Sequence, residues 1–118
     1  MKEFVLVFRR AVDLNEPQPS PEQLQASMKL WQDWMGSLAA QNKLVNVGNR
    51  LSSDGRVVNP GKVITNGPFV EIKEAIGGYT IVSAKSIDEA AELAKGCPIL
   101  MVNGTVEVRT IVSMDDNS

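Results

Sequence analysis

The sequence has no histidine and a single cysteine, Cys97. Histidine is the side chain that titrates nearest neutrality and a leading metal ligand. Without it the common zinc sites, a Ser-His pair and a Cys-His pair are excluded, and one thiol cannot close an intrachain disulfide. Positive charge is also scarce: 12 Lys and Arg stand against 14 Asp and Glu, a formal net charge of -2 and a sequence pI of about 5.1. A domain that grips nucleic acid concentrates basic residues against phosphate, so direct nucleic-acid binding is not expected. The first apolar run, Phe4 to Phe8, is five residues bounded by charge. That is too short for a signal-peptide core or a membrane span. Neither a GxGxxG fingerprint nor a P-loop is present. Asp115 and Asp116 stand in a polar tail without rigid partners, so neither a metal nor a cofactor is expected. A lone cysteine without a secretion signal suits a reducing cytoplasm.

What remains is an ordinary globular composition. The chain has 118 residues, 43% of them hydrophobic and 22% charged, enough for one core and not two. The expected layout is a single domain over residues 1–112 followed by a flexible polar tail, 113–118. Phe4, Leu6 and Phe8 alternate with Val5 and Val7, which predicts a central strand covered on both faces. A Pro-rich connection over Asp13 to Pro21 leads to Ser20-Pro21-Glu22-Gln23, a capping box with proline at the first helical position. Leu24, Met28, Trp31, Met35 and Leu38 then mark an amphipathic helix ending near Asn42, with Leu30 and Trp34 widening its stripe. Val45 to Leu51 alternates, and Asp54-Gly55 before Arg56-Val57-Val58 predicts a hairpin turn. Short strands over Lys62 to Thr65 and Tyr79 to Ser83 follow, with a loop over Phe69 to Ile76. Ser86-Ile-Asp-Glu89 predicts a second capped helix, with Ile87, Ala90, Ala91 and Ala94 on its apolar face, ended by Gly96-Cys97-Pro98. Thr105 to Val112 alternates as a last strand.

The order is strand, helix, strand pair, strand, helix, strand, which is the ferredoxin-like α+β pattern. Two helices cover one face of such an antiparallel sheet. The other face then meets solvent, a ligand or a second copy of the chain, and a homodimer is the economical expectation.

The run Asn66-Gly-Pro-Phe-Val-Glu-Ile-Lys-Glu-Ala-Ile-Gly-Gly-Tyr79 resembles the signature of YCII-related proteins of the DGPF type, which runs Asp-Gly-Pro-Phe, Glu, Lys-Glu and Gly-Gly before an aromatic strand. Gly104-Thr-Val-Glu-Val-Arg109 is similar to the closing Gly-Ser-Val-Glu-Val-Arg of the same family, and Asp88-Glu89-Ala90 agrees with its second helix. The resemblance covers nearly the whole chain. It implies a dimeric α+β barrel, small bacterial proteins of mostly unassigned activity, and association of some members with alternative sigma factors, hence with a transcription factor as partner. It also implies a lactone-processing, dehalogenase-like relative with a His and an Asp as the proposed working pair. Asn66 stands at the motif's Asp and Trp31 near the His position, so that pair has no counterpart here.

The candidate ligand-binding residues are Asn66, Phe69, Glu71, Lys73 and Glu74 in the motif loop, with Glu107 and Arg109 on the last strand. Each has a structural alternative. Gly67-Pro68 sets a turn and Phe69 can plug a core. Glu71, Lys73 and Glu74 can form a solvated charge cluster, and Glu107 with Arg109 can bridge two subunits. Trp31 and Trp34 at helical spacing read as core and interface. Cys97 beyond a helix C-terminus is a poor nucleophile. Two functions follow. One is a dimeric, non-catalytic or regulatory module binding a small anionic or carbonyl-bearing molecule. The alternative is an enzyme acting on lactone-like molecules as an isomerase, dehalogenase or lyase, with Glu107 or Glu71 as general base and Lys73 or Arg109 stabilising negative charge.

Overall fold

The computed structural model describes residues 1–10, 19–52, 54–67 and 76–114. Its elements are β1 (Lys2–Arg9), α1 (Pro21–Ala40), β2 (Leu44–Asn46), β3 (Gly55–Val58), β4 (Ile64–Gly67), β5 (Ile76–Ala84), α2 (Ile87–Ala94), a 3-10 turn at Pro98–Val102, and β6 (Thr105–Thr110). Strands β2, β5, β1 and β6 form one sheet in that order, and every adjacent pair is antiparallel. With α1 after β1 and α2 after β5, this is the ferredoxin-like α+β arrangement. The β3–β4 hairpin is inserted between its second and third strands as a separate two-stranded sheet.

Alternation in β1 sets the layers. Phe4, Leu6 and Phe8 are buried under the helices, beside Thr80, Val82 and Ala84 of β5, Trp34 and Leu38 of α1, and Ala90 and Ala94 of α2. Val106 and Val108 of β6 pack against the same core. Burying each of the larger apolar side chains favours folding by about 1.5–3 kcal/mol. Phe8, Trp31 and Trp34 meet edge to face, with centroids 5.1, 5.8 and 6.0 Å apart. The Trp34 indole N–H donates to the Leu93 carbonyl at 3.1 Å, so its burial leaves no donor unpaired.

The local start signals hold. Ser20 Oγ accepts from the Gln23 N–H and Gln23 Oε1 accepts from the Ser20 N–H, completing the first capping box. Ser86 Oγ accepts from the Glu89 N–H, but the Glu89 carboxylate is turned to Lys43, whose Nζ is 3.0 Å away. That ion pair ties the connection between α1 and β2 to the first turn of α2. Lys43 holds the Glu89 carboxyl below its ordinary range, against the opposing effect of desolvation.

Four expectations are corrected. The apolar stripe of α1 is not all core: Leu24 and Met28 are 48% and 58% exposed, because the first half of the helix extends past the packing surface and only the Trp31–Leu38 half lies on it. In α2, Leu93 joins Ala90 and Ala94 against the core, while Ile87 and Ala91 are exposed. Asp54-Gly55 is not the hairpin turn. Gly55 opens β3 and pairs with Gly67, and the turn lies at Asn59-Pro60-Gly61-Lys62, where Gly61 and Lys62 adopt φ of 85° and 65°. Asn59 closes it through its backbone N–H and its Nδ2, both donating to the Val63 carbonyl. The run Val45 to Leu51 pairs with β5 instead of β3. Its register shifts between Leu44 and Asn46, and Arg50 bridges Gly78.

Candidate functional site

The alternation that buries Phe4, Leu6 and Phe8 sends Glu3, Val5, Val7 and Arg9 to the opposite face of the sheet. Among the described residues no helix covers that face. On β5 the same face carries Tyr79, Ile81 and Ser83, and on β6 it carries Glu107 and Arg109, because their neighbours Val106 and Val108 are committed to the core. Register places these residues in rows across the strands. Tyr79, Val7 and Glu107 form one row, and Ile81, Val5 and Arg109 the next. Each row thus runs from β5 through an apolar valine to a charged group on the edge strand.

Charge on this face is partly neutralised within it. Arg9 Nη2 lies 3.5 Å from Glu107 Oε2, a diagonal cross-strand pair with both side chains part-exposed. An ion pair this wet contributes under about 1 kcal/mol, so its main effect is orientation. Arg109 is exposed, and its side chain has no hydrogen bond or ion pair among the described residues. At the other side of the face, Asn49 Nδ2 lies 3.4 Å from Tyr79 Oη. That contact depends on the chain after β2 lying close to β5. Gly48 sits at φ 75°, and a Cβ there would come 1.8 Å from the Tyr79 carbonyl oxygen. The Tyr79 N–H donates to the Asn49 carbonyl at 3.2 Å, and Thr80 Oγ1 donates to the Val47 carbonyl at 2.9 Å.

Of the seven candidate residues, Glu107 and Arg109 share one strand and one face. Asn66 lies on β4 of the separate hairpin, and no hydrogen bond or ion pair among the described residues joins it to them. Phe69, Glu71, Lys73 and Glu74 lie outside the described residues. Arg9, Tyr79 and Asn49 were not among the candidates. Arg9 was accessible to the same reasoning, since it continues the Val5, Val7 alternation. Asn49 and Tyr79 are 30 residues apart and meet only through the β2–β5 pairing.

Other chemistry is absent from the described part of the chain. Cys97 is buried, and burial pushes its thiol up to about 11, which leaves it protonated at neutral pH. Among the described residues no three His, Cys, Asp or Glu side chains come together to hold a metal ion. No helix among them is long and apolar enough to cross a membrane.

No curated protein matches the chain. The family model of the YCII-related domain, however, matches residues 4–115, taking in the first strand, both helices, the motif loop and the strand that carries Glu107 and Arg109. The chain therefore belongs to the YCII-related domain family.

Proposed function

We propose that the protein acts as a homodimer with the open sheet faces turned toward each other, and that it binds a small anionic or carbonyl-bearing molecule at Arg109. The observation that carries this reading is an exposed guanidinium without a partner among the described residues, set beside the Val5–Val7 strip and the Arg9–Glu107 pair. A guanidinium grips a carboxylate through two parallel N–H donors, and an apolar strip beside it accommodates the rest of a small molecule. Binding is favoured over turnover because Glu107, two residues before Arg109 on the same strand, is already paired with Arg9, and the chain's thiol is buried. The absence of histidine removes the usual proton shuttle.

The test is a thermal-shift series with small carboxylates, lactones and aromatic acids on the wild type and on Arg109→Ala. A ligand at a hundredfold its Kd adds about 2.7 kcal/mol of stability. The shift is expected in the wild type and lost in Arg109→Ala. A shift of equal size in the variant, or none with any ligand class, overturns the assignment.

A second reading, an enzyme acting on lactone-like molecules, is supported by one feature. Glu107 and Arg109 project from the same face about 7 Å apart along the strand, a spacing that lets one carboxylate take a proton while the guanidinium faces the developing oxyanion. Turnover of a lactone that survives Glu107→Gln would rule out Glu107 as that base.

A further inference from the structure

The β3–β4 hairpin is the one described pair of strands that joins no larger sheet. Cross-strand register puts Arg56, Val58, Ile64 and Asn66 on one of its faces, and Gly55, Val57, Thr65 and Gly67 on the other. Val57 and Thr65 are half-buried, whereas Val58 is 68% and Ile64 65% exposed. A two-stranded hairpin is marginal in water on its own, and two β-branched apolar residues facing solvent make it less favourable still. The chain is also extended for its length, with a radius of gyration of 16.1 Å where a compact domain of this size has about 13 Å.

We infer that this hairpin is a dimerisation arm, and that its Arg56–Val58–Ile64–Asn66 face lies against a second copy of the chain. The inference rests on the homodimer proposed above and specifies how it is held. Four strands at about 4.8 Å give the open sheet face a width of about 19 Å, and the eight residues of β1 give a length of about 26 Å. This flat footprint of about 500 Å² is what the sheet alone brings to a facing copy. The arm adds to that area, and symmetry counts the addition twice. Charge agrees in sign. Residues 54–67 carry Arg56 and Lys62 against Asp54, a net +1, which leaves -3 on the rest of a chain whose total is -2. An arm reaching a second copy therefore moves positive charge toward a negative body. Asn66, which stands at the family motif's Asp, travels with the arm and is delivered to the partner.

The experiment is sedimentation velocity across a concentration series on the wild type, on Val58→Asp/Ile64→Asp, and on Met28→Asp as a control for an exposed apolar residue outside the arm. The arm variant is expected to raise the dimer Kd at least about 100-fold, since a carboxylate in place of each buried side chain is desolvated without a partner. Met28→Asp is expected to leave the Kd unchanged. The far-UV circular dichroism of all three should coincide, because the hairpin lies outside the core. A wild-type dimer whose Kd is the same in the arm variant overturns the arm and leaves the facing-sheet dimer standing. A wild type that stays monomeric throughout overturns the dimer itself. Equal weakening by Met28→Asp overturns the arm as the specific contact. If circular dichroism shows the arm variant unfolded, hydrogen exchange on the wild type decides. Concentration-dependent protection of the Val57 and Thr65 amides supports the arm, and its absence overturns it.

Discussion

Two glycines in this chain should respond to alanine with opposite signs. Gly48 lies at φ 75°, where a side chain is strained, and an added Cβ would meet the Tyr79 carbonyl oxygen at 1.8 Å. The left-handed conformation costs an L-residue about 1–2 kcal/mol. The overlap can be relieved only by separating residues 47–51 from β5, since Tyr79 is fixed on its other side by pairing with Val7. Separation breaks the bonds from Tyr79 N–H to the Asn49 carbonyl, from Leu51 N–H to the Gly77 carbonyl, and from Thr80 Oγ1 to the Val47 carbonyl. At a net value of about 1 kcal/mol each, together with the conformational cost, the total loss is about 4–5 kcal/mol. For a chain of this size that is a fall in Tm of about 16–20 °C. Gly36 is the reference. It sits on an exposed turn of α1 with nothing within 4 Å of an added Cβ. Gly36→Ala should therefore raise stability by about 0.5–1 kcal/mol. Urea unfolding of both variants, followed by circular dichroism, measures the difference. A Gly48→Ala protein within about 0.5 kcal/mol of the wild type would mean that residues 47–51 are not laid against β5, and that the Asn49–Tyr79 contact does not exist in solution.

Further expectations follow from the two perturbed ionisable groups among the described residues. Lys43 lowers the Glu89 carboxyl relative to the unfolded chain, so the pair stabilises the fold at neutral pH and the contribution disappears as pH falls through the ordinary glutamate range and below. Glu89→Gln should flatten that part of the acid unfolding curve, and an unchanged acid limb would refute the assignment. Cys97, raised from 9.0 to about 11, keeps its proton in the fold when the unfolded chain has lost it. Stability is therefore complete below pH 9 and declines as pH rises toward 11. Native protein at pH 8 should label with a thiol reagent only as fast as it unfolds; immediate stoichiometric labelling would show that Cys97 is open to solvent.

The parts of the fold encoded within a few residues were legible. Ser20 and Ser86 start helices because their hydroxyls reach N–H groups three residues on, and alternation in β1 and β6 correctly divides core from open face. Partner choice was not legible. Asp54-Gly55 satisfies the local chemistry of a hairpin turn, yet Asn59-Pro60-Gly61 a few residues later satisfies it too, and only the pairing of β3 with β4 decides between them. Periodicity marks a face of α1 but not how far the opposing surface extends, which is why Leu24 and Met28 belong to the stripe and not to the core. The site divides the same way. Glu107 and Arg109 follow from a single strand, whereas Tyr79 with Asn49 requires the β2–β5 register.

The clustering of both tryptophans at one place has a spectroscopic consequence. The chain has only Trp31 and Trp34, stacked edge to face 5.8 Å apart against Phe8 on the helix side of the sheet. All indole emission therefore originates from the junction of α1 with the end of β1, and two indoles this close couple their transitions into a near-ultraviolet dichroic signal that vanishes when the helix undocks. Arg109 is on the reverse side of the sheet from this pair. A ligand held there leaves the emission maximum in place while raising the melting temperature, and a ligand that quenches the indoles by contact sits on the helix side.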